Sequence, residues 1–184
     1  MKRLYIEGSS DTDNGSLKNA FAKLFEKELK GNMPRIVMGD GRSQTIDKFC
    51  TAPFLPDEER YLLIDSDKYP IVKREECDSF NEAIPNIVCK CDETNTFFMI
   101  QEVEAWILSQ PEVLCLYKII VPQRTIEQIM QIYKPSEDLT KHYEKAKKKY
   151  HKVRDFSKLF PSLNVDCLRR DFSDFRELLS KLKT

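Results

Sequence analysis

Three pairs of carboxylates stand out by type and place: Glu7 with Asp11, Asp65 with Asp67, and Glu102 with Glu104. Each pair follows an apolar run, within "RLYIE", "RYLLID" and "TFFMIQ". Charge at the end of a buried run is costly unless a cation sits beside it. Left bare, such acids repel one another and raise their own pKa values. A hard divalent cation removes both problems, and magnesium ordinarily takes one or two carboxylates with waters and phosphate oxygens. The pattern therefore points to a hard divalent cation such as Mg2+, with ligands drawn from all three pairs. Residues two apart in extended chain share a face, which would aim Asp65 and Asp67 the same way and turn Ser66 elsewhere. On a helix Glu102 and Glu104 diverge, so Glu102, nearer the strand end, is the expected ligand, and Glu104 with Trp106 would anchor the helix. The plain alternative for any one cluster is a set of caps and turn residues.

The elements that must carry these acids alternate strand with helix. Strands are expected at 3–7, in "PRIVMGDG" (34–41), at 60–65 and at 96–101. The unbroken apolar run of the third suggests burial on both faces, as in a parallel sheet. Leu17, Ala20, Phe21, Leu24, Phe25 and Leu29 recur at helical spacing after the first strand. Further helices are expected near 43–50, over 71–83 and from 102. The fold class read from this alternation is α/β with a mostly parallel four-stranded sheet flanked by helices. Ligands of open parallel sheets collect beyond the carboxyl ends of the strands, where all three acidic pairs would meet. From about residue 110 the pattern turns helical. The expected organisation is a catalytic core over 1–109 and a helical extension over 110–184 packed on it, including "EDLTKHYEKAKKKY" and "DFSDFRELLSKL" as helices.

Formal charge is balanced, with 30 basic and 30 acidic residues, so no global field selects a partner. Its distribution is uneven. Residues 57–104 carry thirteen acids against five bases, and 141–154 ("KHYEKAKKKYHKVR") seven bases against one Glu. An acidic centre followed by a basic segment suits a metal site beside a polyanion-binding surface; the simpler reading of the basic run is a solvated helix face. On the first reading Lys145, Lys147, Lys148, Lys149, Lys152 and Arg154 would contact phosphates, and Tyr143 and Tyr150 could stack on bases. His142 and His151 are expected at the surface of this segment. Six cysteines lack zinc-like spacing, "CKC" being too tight, and are expected as reduced thiols. With no stretch of membrane-spanning length and no secretory leader, the expected setting is cytoplasmic, without a membrane partner.

The motif "EGSSD" (Glu7–Asp11) after a first strand, followed by "DSD" (Asp65–Asp67) after a later one, resembles the two motifs of the Toprim domain of topoisomerases, bacterial primases, small ribosomal-RNA maturases and nucleases of the overcoming-lysogenization type. That resemblance covers roughly residues 1–105. "IQEVEAWILSQ" (100–110) with the helical tail more closely resembles a bacterial Toprim-like family, domain-of-unknown-function family 4276, over nearly the whole chain. The resemblance implies a Toprim-like α/β domain that binds magnesium or manganese to cut or join phosphodiesters. Glu7 would then be a ligand or general acid–base, Asp65 and Asp67 metal aspartates, Asp11 a second-metal ligand, and Gly8 the residue that lets backbone approach phosphate. Glu102 has no firm counterpart in the general Toprim pattern.

The expected activity is metal-dependent endonucleolytic hydrolysis with two ions aligned for in-line displacement. Lys68, and alternatively Arg42, would neutralise charge on the phosphate. DNA is placed ahead of RNA as the polymer. The resemblance also implies an ATPase partner in anti-phage defence. Two rivals remain at this point. One is a non-catalytic Toprim-fold module of a nucleic-acid-processing complex. The other is a phosphatase with Asp65 as nucleophile and Asp67 as acid, for which Tyr69 and Pro70 depart from the usual pattern.

Overall fold

The structure is a computed structural model that describes residues 1–8 and 15–184, with backbone only for Gly15 and Ser16. Asp11 therefore lies outside the described residues. Strands β1 (Lys2–Ile6), β2 (Arg35–Met38), β3 (Glu59–Asp65) and β4 (Thr96–Met99) form one sheet in the order β2-β1-β3-β4, every pair parallel. Helices cover both faces, which makes the architecture α/β, of Rossmann or Toprim kind. The central β3 is buried from Arg60 through Asp65. That is why its sequence reads as one apolar run rather than an alternation.

Successive strand residues serve opposite faces. Tyr5, Leu62, Ile64 and Phe98 pack against α2 (Arg42–Thr51) and α3 (Lys73–Ala83), through Ile46, Phe49, Cys50, Cys77 and Phe80. Leu4, Ile6, Leu63, Phe97 and Met99 pack on the other face against α1 (Gly15–Leu29) and the helices beyond β4. All six apolar positions of α1 picked out by spacing are buried.

The later helices are α4 (Glu104–Leu108), α5 (Pro111–Leu116), α6 (Ile126–Met130), α7 (Pro135–Lys145), α8 (Lys152–Leu159), α9 (Val165–Asp171) and α10 (Ser173–Lys183), with a 3-10 turn at Phe160–Ser162. Pro111 and Pro135 occupy first turns, where a missing N–H costs nothing. Trp106, fully buried, is the hub: its ring meets Phe175 at 4.9 Å, Phe172 at 6.3 Å, and Phe21 and Phe160 at 6.5 Å each. One hydrophobic cluster thus contains side chains from both sides of position 109. The free edge of β4 is covered by α10, whose Asp174 accepts the Phe98 N–H at 2.7 Å.

Three expectations about the basic segment need correction. The run 137–150 is not one helix. It stops at Lys145 and turns through Lys147 at φ 56°, before α8 begins at Lys152. His142 is buried, not superficial, because Leu139, His142 and Tyr143 form the core-facing side of α7. Tyr143 is also buried and packs on half-buried Tyr150 at 5.2 Å, so both rings belong to the core and are not open stacking platforms. All six cysteines are free; Cys50 and Cys91 Sγ lie 3.7 Å apart. Among the described residues no helix is long and apolar enough to cross a membrane.

Candidate functional site

The sheet ladder holds the carboxyl ends of its strands level. Glu7 N–H donates to the Leu63 carbonyl at 3.0 Å, Gly39 N–H to Ile6 at 3.0 Å, and Ser66 N–H to Met99 at 2.9 Å. From this frame the Glu7 carboxylate reaches across to accept the Asp65 N–H at Oε2, 3.0 Å away. Residues far apart in sequence thereby meet within one hydrogen bond.

Asp65 is buried. Its Oδ1 accepts the Val103 N–H at 2.8 Å, and its Oδ2 stands 3.9 Å from Lys152 Nζ. Lys152, the first residue of α8, also pairs with Glu104 Oε2 at 3.3 Å. Glu104 is wholly buried, and its Oε1 accepts the Tyr150 hydroxyl at 2.9 Å. Burial pushes the Asp65 carboxyl well above the usual aspartate range; Lys152 opposes this while Glu7 and Glu104 add to it. Burial also raises Glu7, against the Asp65 N–H bond, with Asp67 adding to the rise. For Lys152 burial disfavours the charge, but Glu104 and Asp65 together lift its pKa above the ordinary lysine value.

Glu7, Asp65 and Lys152 line a cleft of about 560 Å³ with Gly8, Leu17, Asp40, Gly41 and Val153. Asp40 pairs with Lys48 at 3.4 Å. Two glycines let the walls close up. A Cβ on Gly8 (φ 153°) would stand 2.7 Å from Leu17 Cδ2 and 2.8 Å from Met38 Cε. A Cβ on Gly39 would fall 1.8 Å from Thr45 Oγ1 and 2.7 Å from Thr45 Cα.

The remaining site candidates are placed differently. Asp67 does not share a face with Asp65, because β3 ends at Asp65 and Asp67 turns at φ 56°. Its exposed carboxylate pairs with Arg42 at 2.8 Å. Arg42 in turn binds the carbonyls of Asp65 and Ser66 and the Glu76 carboxylate, so it clamps the Asp-Ser-Asp turn. Lys68 pairs with Glu76 on the exposed rim and does not line the cleft. Glu102 Oε2 accepts the Ser136 N–H at 2.6 Å and so caps α7. Glu104 is the acid that shares a lysine with Asp65. Lys152, expected as an outward phosphate contact, points into the cleft instead. Lys145, Lys147, Lys148, Lys149 and Arg154 are exposed.

Spacing had missed Lys152 as a cleft residue and Tyr150 as the donor to Glu104. The "GDG" after β2 was a local signal for the cleft's third wall. Nothing local marks Lys152. Among the described residues no group of three or more His, Cys, Asp or Glu is arranged to hold a metal ion. Glu7 and Asp65 still offer hard oxygens, desolvated and short of positive charge. That donor set suits magnesium, which needs only one or two carboxylates besides waters and phosphate oxygens.

Comparison with known proteins gives one finding. A family model described as "Domain of unknown function (DUF4276)" matches residues 6–183. No curated protein and no solved structure matches the chain.

Proposed function

The chain belongs to the DUF4276 family, and from the site itself we propose that it is a Mg2+- or Mn2+-dependent endonuclease of Toprim type that hydrolyses phosphodiesters in the strand-end cleft. The observation that carries this reading is the hydrogen bond from Asp65 N–H to Glu7 Oε2. It joins two strand-end acidic residues that line one cleft together with a lysine.

Glu7 and Asp65 would hold the ion, Asp67 joining only if Arg42 lets go. When bound, the ion supplies charge neutralisation and a water of lowered pKa. The protein's own residues do the positioning. Val103 N–H fixes Asp65 Oδ1 and so sets which oxygen faces the cleft. Asp65 N–H fixes Glu7 in the same way. Lys152 is presented by Glu104 at the cleft wall, where an ammonium meets the charge that develops on phosphate oxygens. The exposed bases after α7 would hold the flanking backbone of DNA, so affinity should fall with salt. An ATPase partner and a role in anti-phage defence belong to the same proposal and rest on the Toprim resemblance alone; a cytoplasmic setting is proposed from the free thiols.

A second reading, a non-catalytic binding module, is favoured by the Lys152 ammonium, which already neutralises part of the acidic charge. The deciding experiment incubates plasmid and single-stranded DNA with the protein in Mg2+ or Mn2+ and compares wild type with Glu7→Gln and Asp65→Asn. The nuclease reading expects cleavage that both variants and EDTA abolish. Absence of cleavage in every condition, with or without an ATPase partner, rejects it in favour of the module.

A further inference from the structure

A second concavity, of about 260 Å³, lies among Tyr117, Ile119, Lys149, Arg154, Lys158 and Leu159, with Lys148 and Asp155 at its rim. Its interior is aromatic and apolar, through Tyr117, Ile119 and Leu159. Its rim carries four cations against one carboxylate. That carboxylate is already engaged: Asp155 accepts from Arg154 Nε at 2.8 Å and from His151 N–H at 2.8 Å. Lys148 is anchored on the Tyr117 carbonyl. The Tyr117 hydroxyl donates to the Lys158 carbonyl at 3.1 Å, which fixes that wall. Among the described residues, the ammonium groups of Lys149 and Lys158 enter no ion pair.

Unpaired cations around an apolar, partly aromatic floor select a ligand that joins an anion to a flat ring. Bare phosphate leaves the floor unused, and a neutral ring leaves the cations unused. The volume falls below the roughly 300 Å³ at which drug-sized ligands begin, so it suits a single ring system with its anion. Helix α8 also ties the pocket to the cleft: Lys152 and Val153 line the cleft, whereas Arg154, Asp155, Lys158 and Leu159 line the pocket.

We propose that the pocket takes one nucleotide, its base against Tyr117, Ile119 and Leu159 and its phosphate at Lys149, Arg154 and Lys158. The inference deepens the nuclease reading by naming where a substrate nucleotide is gripped, and it also covers a free nucleotide. Binding is measured with the full chain carrying Glu7→Gln, in EDTA, so that neither metal nor cleavage enters and a failed nuclease reading leaves the result intact. The probes are adenosine monophosphate, adenosine, inorganic phosphate, a short fluorescein-labelled DNA strand, its abasic counterpart and a phosphotyrosine peptide.

A free-nucleotide site binds adenosine monophosphate about tenfold or more tightly than adenosine or phosphate. A strand site prefers the base-bearing strand to the abasic one by a similar factor, the scale of one base on an aromatic wall. Either preference must disappear in Lys149→Ala/Lys158→Ala while the melting temperature holds. Equal binding of both strands without a nucleotide preference overturns the proposal and leaves a general electrostatic patch. A preference that survives the double variant, or a stronger one for the phosphotyrosine peptide, overturns it as well.

Discussion

Replacing Glu104 tests how the cleft lysine is held. The side chain is wholly buried, accepts the Tyr150 hydroxyl at 2.9 Å and pairs with Lys152 at 3.3 Å. In Glu104→Ala the half-buried Tyr150 hydroxyl loses its carboxylate acceptor, a loss of about 1.5–3 kcal/mol. Lys152 loses its nearest carboxylate, but its side chain is 41% exposed. Solvent screening therefore caps that contribution at about 1 kcal/mol. Together the change should cost about 3 kcal/mol. Glu104→Gln keeps an acceptor for Tyr150 and loses only the charge, so it should cost about 1 kcal/mol. Urea unfolding at constant m-value measures both. A double-mutant cycle with Lys152→Met isolates the pair and should return a coupling of about 0.5–1 kcal/mol. A cost below about 1 kcal/mol for Glu104→Ala, or strict additivity in the cycle, would refute the claim that Glu104 positions Lys152.

Other expectations are shorter. Because the Asp65 carboxyl sits well above its usual range, the folded metal-free chain keeps a proton that the unfolded chain releases. Stability should therefore fall as pH rises from the ordinary aspartate range through the raised one, and Asp65→Asn should flatten that slope in melts without metal. Mg2+ or Mn2+ at about a hundred times its dissociation constant should stabilise wild type by about 2.7 kcal/mol. Glu7→Gln and Asp65→Asn should lose that thermal shift, and an undiminished shift would place the ion elsewhere. Gly39→Ala forces a Cβ onto Thr45, backbone included, and should cost about 1–3 kcal/mol. An unfolding midpoint equal to that of wild type would contradict the close approach of Gly39 to Thr45. Trp106→Ala should cost about 3–5 kcal/mol in the same unfolding assay.

The legible parts of this protein were those with a short period. The unbroken apolar runs of β1, β3 and β4 and the 3.6-residue stripe of α1 are properties of consecutive residues, so they appear in the sequence as they do in the fold. Strand ends were legible too, because a run of apolar residues stops where its carboxylates begin; Glu7 and Asp65 were placed together for that reason. The Asp67 reading went astray at the same spot. Period-two alternation holds only while the strand continues, and β3 ends at Asp65, two residues before Asp67. The basic run was misread in the same way, since charge spacing cannot report the turn at Lys147.

The amino-acid order alone determined the layered α/β class, the strand-end placing of Glu7 and Asp65 and a family kinship over almost the whole chain. Which cation faces those acids was decided by packing. Trp106 and the aromatic side chains around it seat α8 and α10 against the sheet, and only that seating brings Lys152 and Tyr150 to Glu104 and Asp65. A contact between distant segments is set by the shape of the core between them, and no local spacing encodes that shape.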